Sequence, residues 1–350
     1  MKKGEITFYN LDGEEIEKEL KTIEWDAEAA EKAGFEHFMM KEIHEQPKAV
    51  SDTINSVVKD GKIDLSEVGL DEDTIRNVSQ IYIVACGSAY HVGMAAQYVF
   101  EDLVKEKHMT TMAIVNVVGS SIARAADYVM YTYAGPEIAV ASTKAYMVQL
   151  CVLYLFALRL AYARGRLSEA ETRRFTAQLL RAPKVIKPRL ADCEQIKYLA
   201  SRYVNTQSCF FIGRGFDYAL SLEGSLKLKE ISYVHSDAYA AGELKHGTIS
   251  LITDGVPVIA LATQKQVYEK TISNAKETRS RGARVLLFTT KDAVVPEGVA
   301  DAVIRLDEYE DILMPLQLIV PLQLFAYYMA VLRGCDVDKP RNLAKSVTVE

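Results

Sequence analysis

Two acid/base groups stand three residues apart in Ser225-Leu226-Lys227-Leu228-Lys229-Glu230-Ile231. On a helix, Lys227 and Glu230 share a face. On a solvated surface such a pair is an ordinary ion pair of little consequence. Here Leu226, Leu228 and Ile231 flank it and leave little clearly exposed face. A Lys–Glu pair in a cleft is an acid/base partner of tunable pKa. A second candidate is His246, in Ala240-Ala241-Gly242-Glu243-Leu244-Lys245-His246-Gly247. Its flanking glycines suggest a loop, where side chains are positioned for ligands. Imidazole titrates near neutrality and suits ring-opening proton transfer, although a lone histidine is as readily structural. A third is Lys345, within the C-terminal stretch from Asp338 to Glu350. That stretch lacks glycine and ends in apolar alternation, which argues for docking; a desolvated lysine on it could serve as a Schiff-base amine.

Turns between a strand and a helix would position these groups. Cys86-Gly87-Ser88 and Gly213-Arg214-Gly215 each follow a β-branched or aromatic run and precede a helical stretch. Backbone amides and a positive helix end then lie at the carboxyl edge of a parallel sheet, where ligands bind in such folds. Neither turn fits GxGxxG, which disfavours a dinucleotide. Asn116-Val117-Val118-Gly119-Ser120-Ser121 is a further turn of this kind, whose hydroxyls could equally cap a helix.

The elements behind the turns occur twice. In the first half, strands are expected at Ile81–Ala85, Ala113–Val117 and Tyr128–Thr132, with a helix from Ala89 to Val104. In the second they are expected at Cys209–Ile212, Val256–Ala262, Arg284–Thr289 and Ala302–Leu306, with a helix from Tyr218 to Ser232. Strands alternating with helices indicate parallel sheets covered on both faces. The fold class is therefore α/β, with two tandem doubly wound lobes joined by helices around 165–200. The halves are unequal. Gly87 to Asn116 is 29 positions and Gly215 to Thr289 is 74, so the second is longer by 45. That is enough for two strands and a helix, which the first lobe would lack between its first helix and its last strands. Upstream, Glu5–Tyr9 and Glu14 to Trp25 suggest a strand pairing across Asn10-Leu11-Asp12-Gly13, and Glu36 to Asn55 suggests a helix or helix pair. The expected domains are 1–34 as a remnant and linker, 35–165 and 166–333 as the two lobes, and 334–350 as a tail.

Bulk properties fit this reading. An apolar share of 49% suffices for buried cores, and a net charge of −6 gives no reason to expect nucleic acid or an anionic membrane as partner. Five widely spaced cysteines without CxxC point to a reducing, cytoplasmic setting and not to metal ligation. Ala145–Ala163 and Ile312–Leu332 are long apolar stretches, but Gln149, Arg159, Gln317 and Gln323 interrupt them. They read as buried core helices rather than membrane spans.

The strings His37-Phe38-Met39-Met40-Lys41-Glu42-Ile43-His44-Glu45-Gln46-Pro47, Val140-Ala141-Ser142-Thr143-Lys144-Ala145, Leu226 to Tyr233, Tyr239 to Gly247 and Arg341 to Glu350, with the Ala85-Cys86-Gly87 turn, resemble the isomerase region of the glutamine–fructose-6-phosphate aminotransferase family. The resemblance runs over nearly the whole chain. It implies two SIS (sugar isomerase) lobes of flavodoxin-like, three-layer form, preceded by the end of a glutaminase domain. It also implies conversion of fructose 6-phosphate to glucosamine 6-phosphate with ammonia from glutamine. Lys345 matches the Schiff-base lysine, Glu230 the base moving a proton between C1 and C2, and Lys227 a supporting lysine. His246 matches a ring-opening histidine that reaches the neighbouring subunit's site, which implies a homodimer. Val140, Ser142 and Ala344 match sugar contacts; Cys86, Gly87 and Ser88 match the turn beside the phosphate. No cofactor, metal, nucleic acid or membrane is implied.

Three departures accompany the resemblance. The glutaminase's N-terminal catalytic cysteine has no counterpart in a chain beginning at Met1. The family's Ser-Gln-Ser-Gly-Glu-Thr phosphate loop is absent and belongs within the shortened stretch. Ala89 stands where some members have a serine. Two other readings share the architecture: a non-catalytic SIS regulator that binds sugar phosphates, and a fructosamine-phosphate deglycase. The grouping of Glu230, His246 and Lys345 favours the isomerase, because a sensor needs no base, ring opener and Schiff-base amine together.

Overall fold

The computed structural model describes residues 8–9, 14–16, 31–78, 81, 83, 85, 87–103 and 112–345. A short antiparallel pairing of β1 (Phe8–Tyr9) with β2 (Glu15–Ile16) lies within the expected N-terminal hairpin. Next come α1 (Phe38–Asn55), the two-residue ribbon β3 (Val58–Lys59) and β4 (Lys62–Ile63), and α2 (Glu72–Asn77). The first lobe contributes α3 (Gly87–Leu103), β5 (Met112–Val115), α4 (Ser121–Ala125), β6 (Tyr128–Tyr131) and the long α5 (Lys144–Ala163). Helices α6 (Glu169–Ile186) and α7 (Cys193–Tyr203) lead into the second lobe, and a Ser168–Glu171 capping box starts α6.

The second lobe is built on β7 (Ser208–Gly213), α8 (Phe216–Ser232), β8 (His235–Ala240), β9 (Pro257–Ala262), α9 (Tyr268–Arg279), β10 (Arg284–Thr290), β11 (Ala302–Leu306) and α10 (Pro315–Leu332). Its five strands pair in parallel in the order β8-β7-β9-β10-β11, the flavodoxin-like arrangement. Side-chain alternation puts Phe211 into one core and Phe210 and Ile212 into the other, so both faces are covered. Strand β8 was not anticipated. Its sequence, His-Ser-Asp-Ala-Tyr-Ala, is polar and small because it is an edge strand, and edge positions need little apolar content.

Among the described residues of the first lobe, only β5 and β6 pair as strands, again in parallel. The expected strand at Ile81–Ala85 is not formed at Ile81, Ile83 or Ala85; Tyr82, Val84 and Cys86 lie outside the described residues. The second lobe explains this. Between α8 and β10 it carries β8, β9 and α9, which are the two strands and helix by which the halves differ in length. In this strand order the first strand's only neighbours are the second and third. A lobe without them leaves its first strand no ladder partner.

Two of the described helices are long and apolar enough to cross a membrane, and both are buried inside the fold. The glutamines of α10 show how a core helix accommodates polar groups. Gln317 accepts from the Asp307 amide and donates to its carbonyl, both at 2.9 Å, while Gln323 accepts from Gln46 at 2.9 Å and donates to the Thr143 carbonyl at 3.3 Å.

Candidate functional site

Helix α8 carries Glu223, Lys227 and Glu230 on one side, each one turn from the next. Lys227 is fully buried, so the surface ion-pair reading does not hold. Its Nζ lies 2.5 Å from Glu230 Oε2, 3.5 Å from Glu223 Oε1, and donates to Ser88 Oγ at 2.9 Å. Burial alone would push the Lys227 ammonium down, but the two carboxylates outweigh it and hold it above the usual lysine range. Glu223 is completely enclosed and meets the His91 ring of α3 at 2.8 Å. The packing of α3 against α8 thus joins the first lobe's turn to the acid/base pair of the second. Glu230 alone of the three keeps a partly open side chain.

The second part of the site is formed by the tail. The Asp338 carboxylate accepts the Phe38 and Met39 amides at the start of α1, each at 2.9 Å, and the Asp338 carbonyl accepts the Val140 amide at 2.9 Å. Arg341 lies over the Tyr233 ring at 4.1 Å, and its amide donates to the Tyr233 hydroxyl at 2.8 Å. Tyr233 is the left-handed cap that ends α8. From there the chain reaches Lys345, whose Nζ donates to Glu137 Oε2 and to the Ala139 carbonyl, both at 2.7 Å.

Glu137 is held from the other side by the amides of Thr143 and Ala145, at 2.9 and 3.1 Å. Burial alone would push its carboxyl up, but Lys345 and these amides outweigh it and hold it below the usual range. Behind it, buried Glu42 of α1 accepts the Ile138 and Ala139 amides at 2.6 and 3.0 Å. Burial first, and the Glu137 charge second, push the Glu42 carboxyl up to about 7. Glu42 thereby fixes the segment that cradles the Lys345 amine.

Of the residues expected from the sequence, Ser88, Lys227 and Glu230 come together, and Lys345 bonds the carbonyl of Ala139, the residue before Val140. Gly87 opens α3 with φ +56°, and Gly215 precedes α8 with the same value, a conformation that favours glycine. Ser142 is half-buried and Ala344 exposed. Cys86 lies outside the described residues. His246 is not brought to the others: it ends an exposed 3-10 turn, and its ring makes no hydrogen bond or ion pair among the described residues. Glu223, His91, Glu137 and Glu42 were missed. The Glu223–Lys227 spacing was readable, but His91, Glu137 and Glu42 meet their partners only through tertiary packing. No group of metal-ligating side chains occurs among the described residues.

The arrangement offers a carboxylate paired with a buried cation, and an amine held by a second carboxylate. The SIS domain family matches residues 100–159 and 203–333. The glutamine–fructose-6-phosphate aminotransferase (isomerizing) of Caldanaerobacter subterraneus subsp. tengcongensis is 45% identical over 395 residues, covering 100% of this chain and 65% of the relative. The enzyme of that name from Clostridium acetobutylicum is 45% identical over 390 residues, covering 99% and 64%. The chain therefore spans about two-thirds (65% and 64%) of the length of these relatives. An alignment of 395 positions against a chain of 350 leaves about 45 without a counterpart here, the same length as the deficit between the lobes. Among solved structures, the C-terminal domain of glucosamine-fructose-6-phosphate aminotransferase from Francisella tularensis superposes with a TM-score of 0.82 at 32% identity, covering 88% of this chain and 100% of that one. The chain belongs to the SIS domain family and, within it, to the isomerase part of the glutamine–fructose-6-phosphate aminotransferases.

Proposed function

We propose that this chain is the ketose/aldose isomerase part of a cytoplasmic glucosamine-6-phosphate synthase. It acts on fructose 6-phosphate, with ammonia from glutamine supplied by a glutaminase domain, to give glucosamine 6-phosphate. The observations that carry the reading are the enclosure of Lys227 between Glu223 and Glu230 on α8 and the docking of Lys345 on Glu137. In this reading His246 of one subunit opens the sugar ring in the site of the other, making the working unit a homodimer. The Lys345 amine attacks the C2 carbonyl, water leaves, and an imine forms. Ammonia displaces the Lys345 amine from C2 to leave the free sugar imine, and Glu230 takes the C1 proton and returns it to C2, while Lys227, itself bonded to Ser88, holds the Glu230 carboxylate in place. Val140, Ser142 and Ala344 contact the sugar, and the Cys86-Gly87-Ser88 turn lies beside the phosphate. Phosphate contacts supply remote binding energy that holds the open chain. Because the segment expected to bear the main phosphate loop is absent, turnover by this chain alone is weak.

Borohydride trapping with fructose 6-phosphate, read by mass spectrometry of the protein, tests the assignment. The reading expects an adduct on Lys345 that disappears in Lys345→Ala. An adduct persisting undiminished in that variant overturns it.

A further inference from the structure

In an open parallel sheet, ligands bind outside the carboxyl ends of the strands where the strand order reverses. In the second lobe that point lies between β7 and β9. It is filled from within. Asp217, in the first turn of α8, is 1% exposed. Its Oδ2 accepts the amides of Thr263 and Gln264 at 2.7 and 3.3 Å, and its Oδ1 accepts the Thr263 hydroxyl at 2.6 Å. Thr263 and Gln264 directly follow β9. Two backbone amides and a hydroxyl are the donors that a bound phosphate or carboxylate would take. The helix is drawn hard onto the strand end: a Cβ on Gly213 would come within 2.4 Å of the Asp217 carbonyl carbon.

The first lobe is built differently at the same place. Gly87 and Gly215 share φ +56° at the two helix starts, so the residue two positions on is Ala89 in the first lobe and Asp217 in the second. Alanine presents no carboxylate to the corresponding crevice, and Ser88 beside it is engaged by Lys227.

We propose that Asp217 is a built-in anion that closes the ligand crevice of the second lobe and confines sugar-phosphate binding to the first. Only the identity of the first-lobe ligand rests on the function proposed above; the closed crevice stands on its own geometry. With the carboxylate removed, the Thr263–Gln264 donors become an anion site. A purely structural crosslink would lose stability on removal and gain no ligand.

The test uses the full chain carrying Asp217→Ala, the residue found at the first-lobe position, with inorganic phosphate and formate as probes. Calorimetry is expected to find one more equivalent of bound phosphate in Asp217→Ala than in the unsubstituted chain. Formate should raise the variant's melting temperature by several degrees more than it raises the parent's. Adding Thr263→Val should remove both gains. A folded Asp217→Ala protein with the parent's phosphate stoichiometry and the parent's formate response overturns the proposal. Should Asp217→Ala be unfolded, recovery of its helical circular dichroism by phosphate or formate supports the proposal, and failure of both anions to restore it overturns it. Lys345 trapping by borohydride is read separately, so failure of the sugar-phosphate assignment and failure of this proposal are told apart.

Discussion

Lys345 and Glu137 meet at 2.7 Å across 208 residues of sequence, and the Ala139 carbonyl closes on the same amine at 2.7 Å. The tail is fixed at its far end by this ion pair. Glu137→Gln places an amide where the second carboxylate oxygen was, and a neutral partner loses most of a charge-assisted hydrogen bond. Such a bond contributes about 1.5–3 kcal/mol, or roughly tenfold or more in the population of the docked tail. The expected outcome is a fall of about tenfold in the borohydride-trapped adduct, together with faster tryptic cleavage after Arg341. An unchanged adduct yield and unchanged proteolysis would show that Glu137 does not hold the amine.

Glu42 and Asp217 give stability a definite pH dependence. Both are carboxyls raised in the folded state by burial, to about 7 and about 6. A raised acid favours folding in its protonated form. Its contribution is full below the unfolded pKa and is lost as pH rises through the folded one. For Glu42 the window runs from the ordinary glutamate value of 4.5 to about 7. The loss is about 3 kcal/mol at ~1.4 kcal/mol per pH unit. Urea midpoints measured from pH 4.5 to 7.5 should decline for the parent chain and decline less for Glu42→Gln. Parallel curves for the two proteins would contradict the assignment.

Lys227 balances Glu223 and Glu230, and Glu223 is wholly enclosed. Lys227→Met keeps the length of the side chain but leaves Glu223 with only His91 as counterpart. Removing one partner of a buried ion pair costs about 3–5 kcal/mol. Denaturant unfolding should show a loss of that order. Combining Lys227→Met with Glu223→Gln should recover part of it, since the stranded charge is then gone. No recovery in the double variant would place the cost in packing rather than in charge.

These residues also show what a sequence reveals and what it conceals. Lys227 and Glu230 were readable because helical spacing puts them on one face, and Gly87 and Gly215 because a strand–helix turn needs a left-handed residue. The shortened first lobe was legible from two distances along the chain. By contrast, Glu42 and Glu137 are 95 positions apart, and nothing local ties either to Lys345; only the packing of α1 under the 137–139 segment does. Asp338 read as the start of a tail, yet it caps α1 from 300 residues away. Strand β8 escaped because edge strands carry weak patterns.

The shortened lobe has a surface consequence. Ile83, Tyr90, Val117, Val118, Ile122 and Tyr133 are all exposed, and all lie in the first lobe. Apolar side chains concentrated in this way mark surface that something else normally covers. Inserting the segment of about 45 residues from the Caldanaerobacter relative between α3 and β5 should lower binding of a hydrophobic dye and raise kcat/KM for fructose 6-phosphate by at least ~100-fold, the return of a phosphate's remote binding energy. Native-like turnover by the chain without the insertion would show that the segment is dispensable.

His246 is the one expected catalytic group that stands apart from the others, exposed on a turn beyond edge strand β8. If it serves the site of a second copy, two different defects can complement each other. In the segment-restored protein, His246→Ala and Lys345→Ala should each be inactive as pure species. A homodimer reshuffled from equal amounts of the two is half mixed dimers. In each mixed dimer one of the two sites pairs an intact Lys345 with an intact His246 from its partner. Activity should therefore return to about a quarter of the parent's, provided that subunits assort at random and each site works alone. Were His246 to act within its own chain, every site in every dimer would keep one lesion, and mixing would recover nothing.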